Sequence, residues 1–78
     1  MEYTAILSDW LQVPTMSGVY VLGKIYEDKK KRFKDGTLIY TSLVLKNYYV
    51  EIDGKQETII KTLNSTYLLQ GVGANDVV

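Results

Sequence analysis

Tyr48-Tyr49-Val50-Glu51-Ile52-Asp53-Gly54-Lys55-Gln56-Glu57-Thr58-Ile59-Ile60-Lys61-Thr62-Leu63 is the stretch whose reading decides the fold. Asp53-Gly54 lies between two runs rich in β-branched and aromatic residues. That pair marks a two-residue hairpin loop, because both central residues of a type I′ turn need a positive φ. Residues 48–53 are therefore read as one strand and residues 56–63 as its return. Along the return, Thr58, Ile60 and Thr62 alternate with Glu57, Ile59 and Lys61, as a pleated strand requires.

The same punctuation continues outward. Asn64-Ser65 turns the chain, and residues 66–70 make a short last strand. Residues 71–78 follow as a tail with two glycines, an Asn75-Asp76 pair and little periodicity, expected to be loose beyond a domain of residues 1–70. On the N-terminal side, residues 37–45 alternate Leu38, Tyr40, Ser42 and Val44 against Ile39, Thr41, Leu43 and Leu45, with Lys46-Asn47 as a brief turn. Asp35-Gly36 closes a lysine-rich connection over residues 28–36. Before it, Val19, Val21, Gly23 and Ile25 alternate with Tyr20, Leu22, Lys24 and Tyr26, so both faces carry apolar bulk. One face is core, and the other is a second core face or an interface. Gly23 in mid-strand marks a bulge or a sharp bend.

Only the start of the chain breaks the two-residue period. Tyr3, Ile6, Leu7, Trp10 and Leu11 fall at three- and four-residue spacing, which predicts a short helix over residues 1–13 ended by Pro14. The competing reading is a strand, since these residue types also suit β structure. The expected fold is mainly β: a small five-stranded antiparallel barrel or curled sheet, SH3-like or OB-like, with a short N-terminal helix. An α+β sheet with the helix across one face is the alternative. Trp10, Val21, Ile25, Ile39, Val50 and Ile60 are the expected core.

Seventy-eight residues allow one domain with a small core, and no cysteine or histidine is present to staple it with a disulfide or zinc. Self-association is the remaining way to bury more surface, so a homo-oligomer is expected. The apolar strand carrying Tyr20, Leu22 and Tyr26 supplies the surplus face. Nine basic and nine acidic residues cancel, which weighs against a generic nucleic-acid coat. No apolar run approaches the roughly 20 residues of a membrane span, and no signal-peptide layout opens the chain, so a cytoplasmic location without membrane association is expected.

The chemistry the sequence offers is recognition. Without histidine or cysteine, the commonest general base and the soft nucleophile are missing, and the carboxylates Glu27, Asp28, Asp35 and Asp53 sit mainly in turns, where aspartate bonds its own backbone. A non-enzymatic protein is expected. No cofactor fingerprint or metal-ligand set occurs, and Gly71-Val72-Gly73 is only a two-glycine fragment. Lys29-Lys30-Lys31-Arg32-Phe33-Lys34 holds more than half of the positive charge. It is read either as a phosphate grip with Phe33 to stack or as a solvated loop. Seven tyrosines against one phenylalanine and one tryptophan suit interfaces and ligand walls as well as half-buried strands. Arg32, the only arginine, offers a planar fork for phosphate, which Thr41 or Ser42 hydroxyls and a Phe33 or Tyr40 ring would complete.

Arg32-Phe33-Lys34-Asp35-Gly36-Thr37-Leu38-Ile39-Tyr40-Thr41-Ser42, with Gly23-Lys24-Ile25-Tyr26 before it and Thr62-Leu63-Asn64-Ser65-Thr66-Tyr67-Leu68-Leu69 after it, resembles a loose class of short phage-encoded β proteins. The resemblance covers about residues 21–69. It implies a phage accessory protein acting in the host cytoplasm, of the kind that counters host defence by sequestering a nucleotide signal or blocking a host protein. The alternatives are a nucleic-acid-binding small barrel using the lysine loop, and a virion or assembly component acting through sheet edges.

Overall fold

Asp53 and Gly54 both have positive φ, 51° and 79°, and Ile52 pairs with Lys55 across them, so the hairpin forms where the sequence places it. The computed structural model describes residues 3–71. Its strands are β1 (Ala5–Thr15), β2 (Gly18–Tyr26), β3 (Thr37–Tyr40), β4 (Val44–Ile52), β5 (Lys55–Thr62) and β6 (Thr66–Leu69). They form a single sheet in the order β3-β2-β1-β6-β5-β4. Among the described residues no helix is long and apolar enough to cross a membrane.

The N-terminal helix is corrected to a strand, and the reason is a bulge. Ser8 pairs with Lys24 and Leu11 with Leu22, so Asp9 and Trp10 together stand opposite Gly23. The extra residue turns a two-residue period into a three-residue step, so buried Leu7 and buried Trp10 share a face. That step reads as helical spacing in the sequence. Asp9 takes φ 50°, which aspartate tolerates better than most residues, and Gly23 leaves room for the bulge. A Cβ at Gly23 would lie 3.2 Å from the Trp10 Cβ and 3.3 Å from the Ser8 carbonyl oxygen. Pro14 pairs with Val19 on one side, and the β6 pairing ends at Leu7, so among the described residues no strand pairs with its other side.

The expected run of five antiparallel strands is also corrected. Two three-stranded meanders, β1–β2–β3 and β4–β5–β6, are joined by parallel pairing of Ala5, Ile6 and Leu7 with Tyr67, Leu68 and Leu69. The break between β3 and β4 falls at residues 41–43 rather than at Lys46-Asn47, which lie inside β4 beside a bulge. This crossover carries the chain from one sheet edge to the other. Thr41 exchanges backbone and side-chain hydrogen bonds with Val21, and the Leu43 carbonyl accepts from the Leu63 N–H at 3.2 Å. The sheet curls until β2 and β4 approach, but they do not pair, so the barrel is not closed.

Inside the curl lie Ala5, Leu7, Trp10, Val21, Ile25, Ile39, Ile60, Tyr67 and Leu69, with Val44 packed against them. Five of the six residues expected in the core are buried there. Val50 is the exception: it is half-buried on the face of Tyr48, which pairs with Ile59, whereas Ile60 points inward. That outer face has its own apolar row, Tyr48–Ile59–Leu68–Ile6–Tyr26, running across five strands in register. Ile59 and Leu68 are buried within it and both tyrosines are half-buried at its ends, which is one use of the tyrosine excess.

Candidate functional site

The β2–β3 loop is organised by Asp28. Its carboxylate accepts the backbone N–H groups of Lys30 (3.1 Å) and Arg32 (2.9 Å), while the Lys31 N–H donates to its carbonyl (2.9 Å). This is the aspartate-built turn that residue type predicts. Glu27 and Lys31 take positive φ, 54° and 55°, to wrap the chain around it. The lysine run is thereby folded back onto the sheet. The Lys29 N–H donates to the Thr4 carbonyl at 2.8 Å, and Lys30 Nζ donates to the Asn64 carbonyl (2.6 Å) and Ser65 Oγ (3.1 Å).

Arg32 spends its fork inside the protein. Nε donates to Asp28 Oδ2 at 3.1 Å, Nη2 to Oδ1 at 3.2 Å, and Nη1 to Ser65 Oγ at 3.0 Å, with the Tyr67 hydroxyl at 3.5 Å from Nη2. The Asp28 side chain is only 1% exposed and that of Arg32 30%. Burial pushes the Asp28 carboxyl up, but the Arg32 side chain, the Arg32 and Lys30 backbone N–H groups and the Arg32 charge outweigh it and hold the carboxyl below its ordinary value. The Asp28 hydrogen bond in turn raises Arg32 against its own desolvation.

The other residues singled out in the sequence are not gathered around that fork. Phe33 is partly exposed, with its ring 5.4 Å from the Arg32 guanidinium carbon. Tyr40 stands at the far end of β3, 62% exposed. Thr41 is buried, and its hydroxyl accepts the Val21 N–H at 3.0 Å and donates to the Ser42 carbonyl at 2.8 Å, so both capacities are used internally. Ser42 joins the loop network indirectly: its hydroxyl accepts from the Asn64 side-chain amide, whose backbone carbonyl holds Lys30. Arg32, Phe33 and Ser42 thus border one polar corner, while Tyr40 and Thr41 lie outside it.

Beside this corner is a cavity of about 270 Å³ lined by Tyr3, Thr4, Lys29, Lys30 and Thr66. The Lys29 ammonium lies 4.6 Å from the centre of the Tyr3 ring. Thr4 Oγ1 accepts the Thr66 N–H at 3.3 Å, leaving its hydroxyl proton to donate. Two lysines, two threonines and an aromatic ring lining a small concavity, with Lys30 Nζ held by Asn64 and Ser65, are complementary to a small anion that carries a ring or sugar. The sequence does not mark Tyr3, Thr4 and Thr66 as a set, because the helical spacing of residues 1–13 would not bring Thr4 beside Thr66. A larger cleft of about 500 Å³ opens at the other end of the curl, lined mainly by Val19, Val21, Val44, Leu45 and Ile60, with Gln12 and Asn47 at hand. Comparison with protein-family models, curated proteins and solved structures returns no match for this chain.

Proposed function

We propose that this is a non-enzymatic binding protein that takes a small phosphate-bearing anion, of the nucleotide class, at the cavity between the lysine loop and the start of β1. The observation that carries the reading is that Lys29, Lys30, Thr4, Thr66 and Tyr3 line one small concavity, with the Lys29 ammonium over the Tyr3 ring. Arg32 serves the site by holding the loop: its bonds to Asp28 and Ser65 set the backbone from which Lys29 and Lys30 project. Under the resemblance to short phage-encoded β proteins, the consequence of such binding is sequestration of a host nucleotide signal in the host cytoplasm.

Calorimetric titration with mononucleotides, dinucleotides and single-stranded oligonucleotides tests this. Saturable binding of a mono- or dinucleotide, weakened roughly tenfold or more by Lys29→Ala or Lys30→Ala, supports it, since a charge-assisted hydrogen bond contributes about 1.5–3 kcal/mol. Binding of oligonucleotides alone, with affinity falling steeply with salt, would instead mean a backbone-tracking nucleic-acid surface.

A further inference from the structure

The two edges of the sheet are treated very differently by the sequence. β4 carries the bulge between Val44 and Lys46, the lysine itself and Glu51, which are the usual devices that keep a strand edge from pairing with another chain. β3 is Thr37-Leu38-Ile39-Tyr40, with no charge, no proline and no bulge. Among the described residues its only strand partner is β2. The Thr41 N–H points to the Val21 carbonyl, so in the alternating antiparallel ladder the backbone groups of Ile39 also face β2 and those of Leu38 and Tyr40 face away. The same two residues expose their side chains, at 61% and 62%.

We propose that β3 pairs antiparallel with β3 of a second copy of this chain, joining two sheets into one across a two-fold axis at Ile39. An antiparallel edge is self-complementary under a two-fold, and this register sets Leu38 of each copy opposite Tyr40 of the other, an aliphatic–aromatic cross-strand pair. The charge distribution fits a second copy. The strand is uncharged, and Lys24, which stands opposite Leu38 on β2, is neutralised within its own chain by Asp9 at 3.6 Å. The same register sets Thr41 and Ser42 of one copy opposite Thr37 and Gly36 of the other, with Lys34 and Asp35 beyond them toward the uncharged Leu43 and Val44, keeping like charges off the axis. Four residues a side fall short of the roughly 1,200 Å² that stable complexes bury, so the dimer is weak and reversible.

Sedimentation velocity across the micromolar range reads this directly. The expected result is a monomer–dimer equilibrium in the unmodified protein. Leu38→Lys with Tyr40→Lys, which opposes like charges across the axis, should weaken it roughly tenfold or more. Leu38→Lys with Tyr40→Glu, which opposes lysine to glutamate twice, should restore it, while Tyr49→Lys on the β4 edge should leave it unchanged. A strict monomer at every concentration overturns the proposal. So does a dimer that ignores the double lysine, one that Tyr49→Lys abolishes, or one that the lysine–glutamate pair fails to restore with the fold intact by circular dichroism.

Discussion

Asp28 and Arg32 form a two-point ion pair in which the carboxylate is buried and the guanidinium reaches past it to Ser65 on the β5–β6 turn. One pair therefore ties the β2–β3 loop to the opposite half of the sheet. Arg32→Ala leaves a buried carboxylate without its partner, and losing one member of a buried pair costs about 3–5 kcal/mol. Arg32 is partly exposed, so a loss near or below the lower end of that range is expected. Lys29→Ala should be close to neutral for stability. Urea melts of the two variants check this, and comparable melts would mean that the pair does not hold the loop.

Acid should loosen the same contact. The folded-state value of Asp28 lies below its ordinary value, so its ionised form stabilises the fold at neutral pH. That contribution is complete above the unfolded value of about 3.9 and is lost as pH falls through the lower folded value. Melting temperature should therefore drop as pH falls below about 4, and Asp28→Asn should flatten that part of the profile. An unchanged acid limb in Asp28→Asn would assign the acid sensitivity to other carboxylates.

Core truncations sort the two faces of the sheet. Ile60→Ala and Ile39→Ala remove buried side chains from the interior of the curl and should each cost about 2–5 kcal/mol, a large share of the stability of so small a domain. Tyr49, 70% exposed on the hairpin, should tolerate alanine within about 0.5 kcal/mol. Denaturant midpoints give the order, and equal effects at Ile60 and Tyr49 would contradict the strand phases described.

At the β1 bulge the two strands should respond in opposite directions. Gly23→Ala forces a methyl to within 3.2 Å of the Trp10 Cβ and should cost about 1–3 kcal/mol as overpacking. Asp9→Gly relieves a non-glycine residue at φ 50° and gives up only an exposed ion pair with Lys24, so it should be neutral or slightly stabilising. Thermal melts of the two variants test the pairing of bulge and glycine.

The hairpin at Asp53-Gly54, the inward phase of Val21, Ile25, Ile39 and Ile60 and the turn-forming role of Asp28 were legible in the sequence, because each rests on neighbours within a few residues. A pair needing positive φ, a two-residue alternation and an aspartate before a turn act through local sterics and local hydrogen bonds. The nature of β1 was not legible, because an inserted residue at Asp9–Trp10 mimics helical spacing and makes sense only once Gly23 of the next strand makes room for it. Nor was the use of Arg32, since an arginine in a lysine-rich loop carries no local mark of whether its fork meets a ligand or a carboxylate four residues back. Tertiary structure decides that, by burying Asp28 where its charge needs a partner and by bringing Ser65 and Tyr67 within reach from more than 30 positions away. The same long-range parallel pairing of β1 with β6 sets Thr4 beside Thr66 and so creates the cavity, because contacts between distant segments depend on which strands meet and not on any one segment alone.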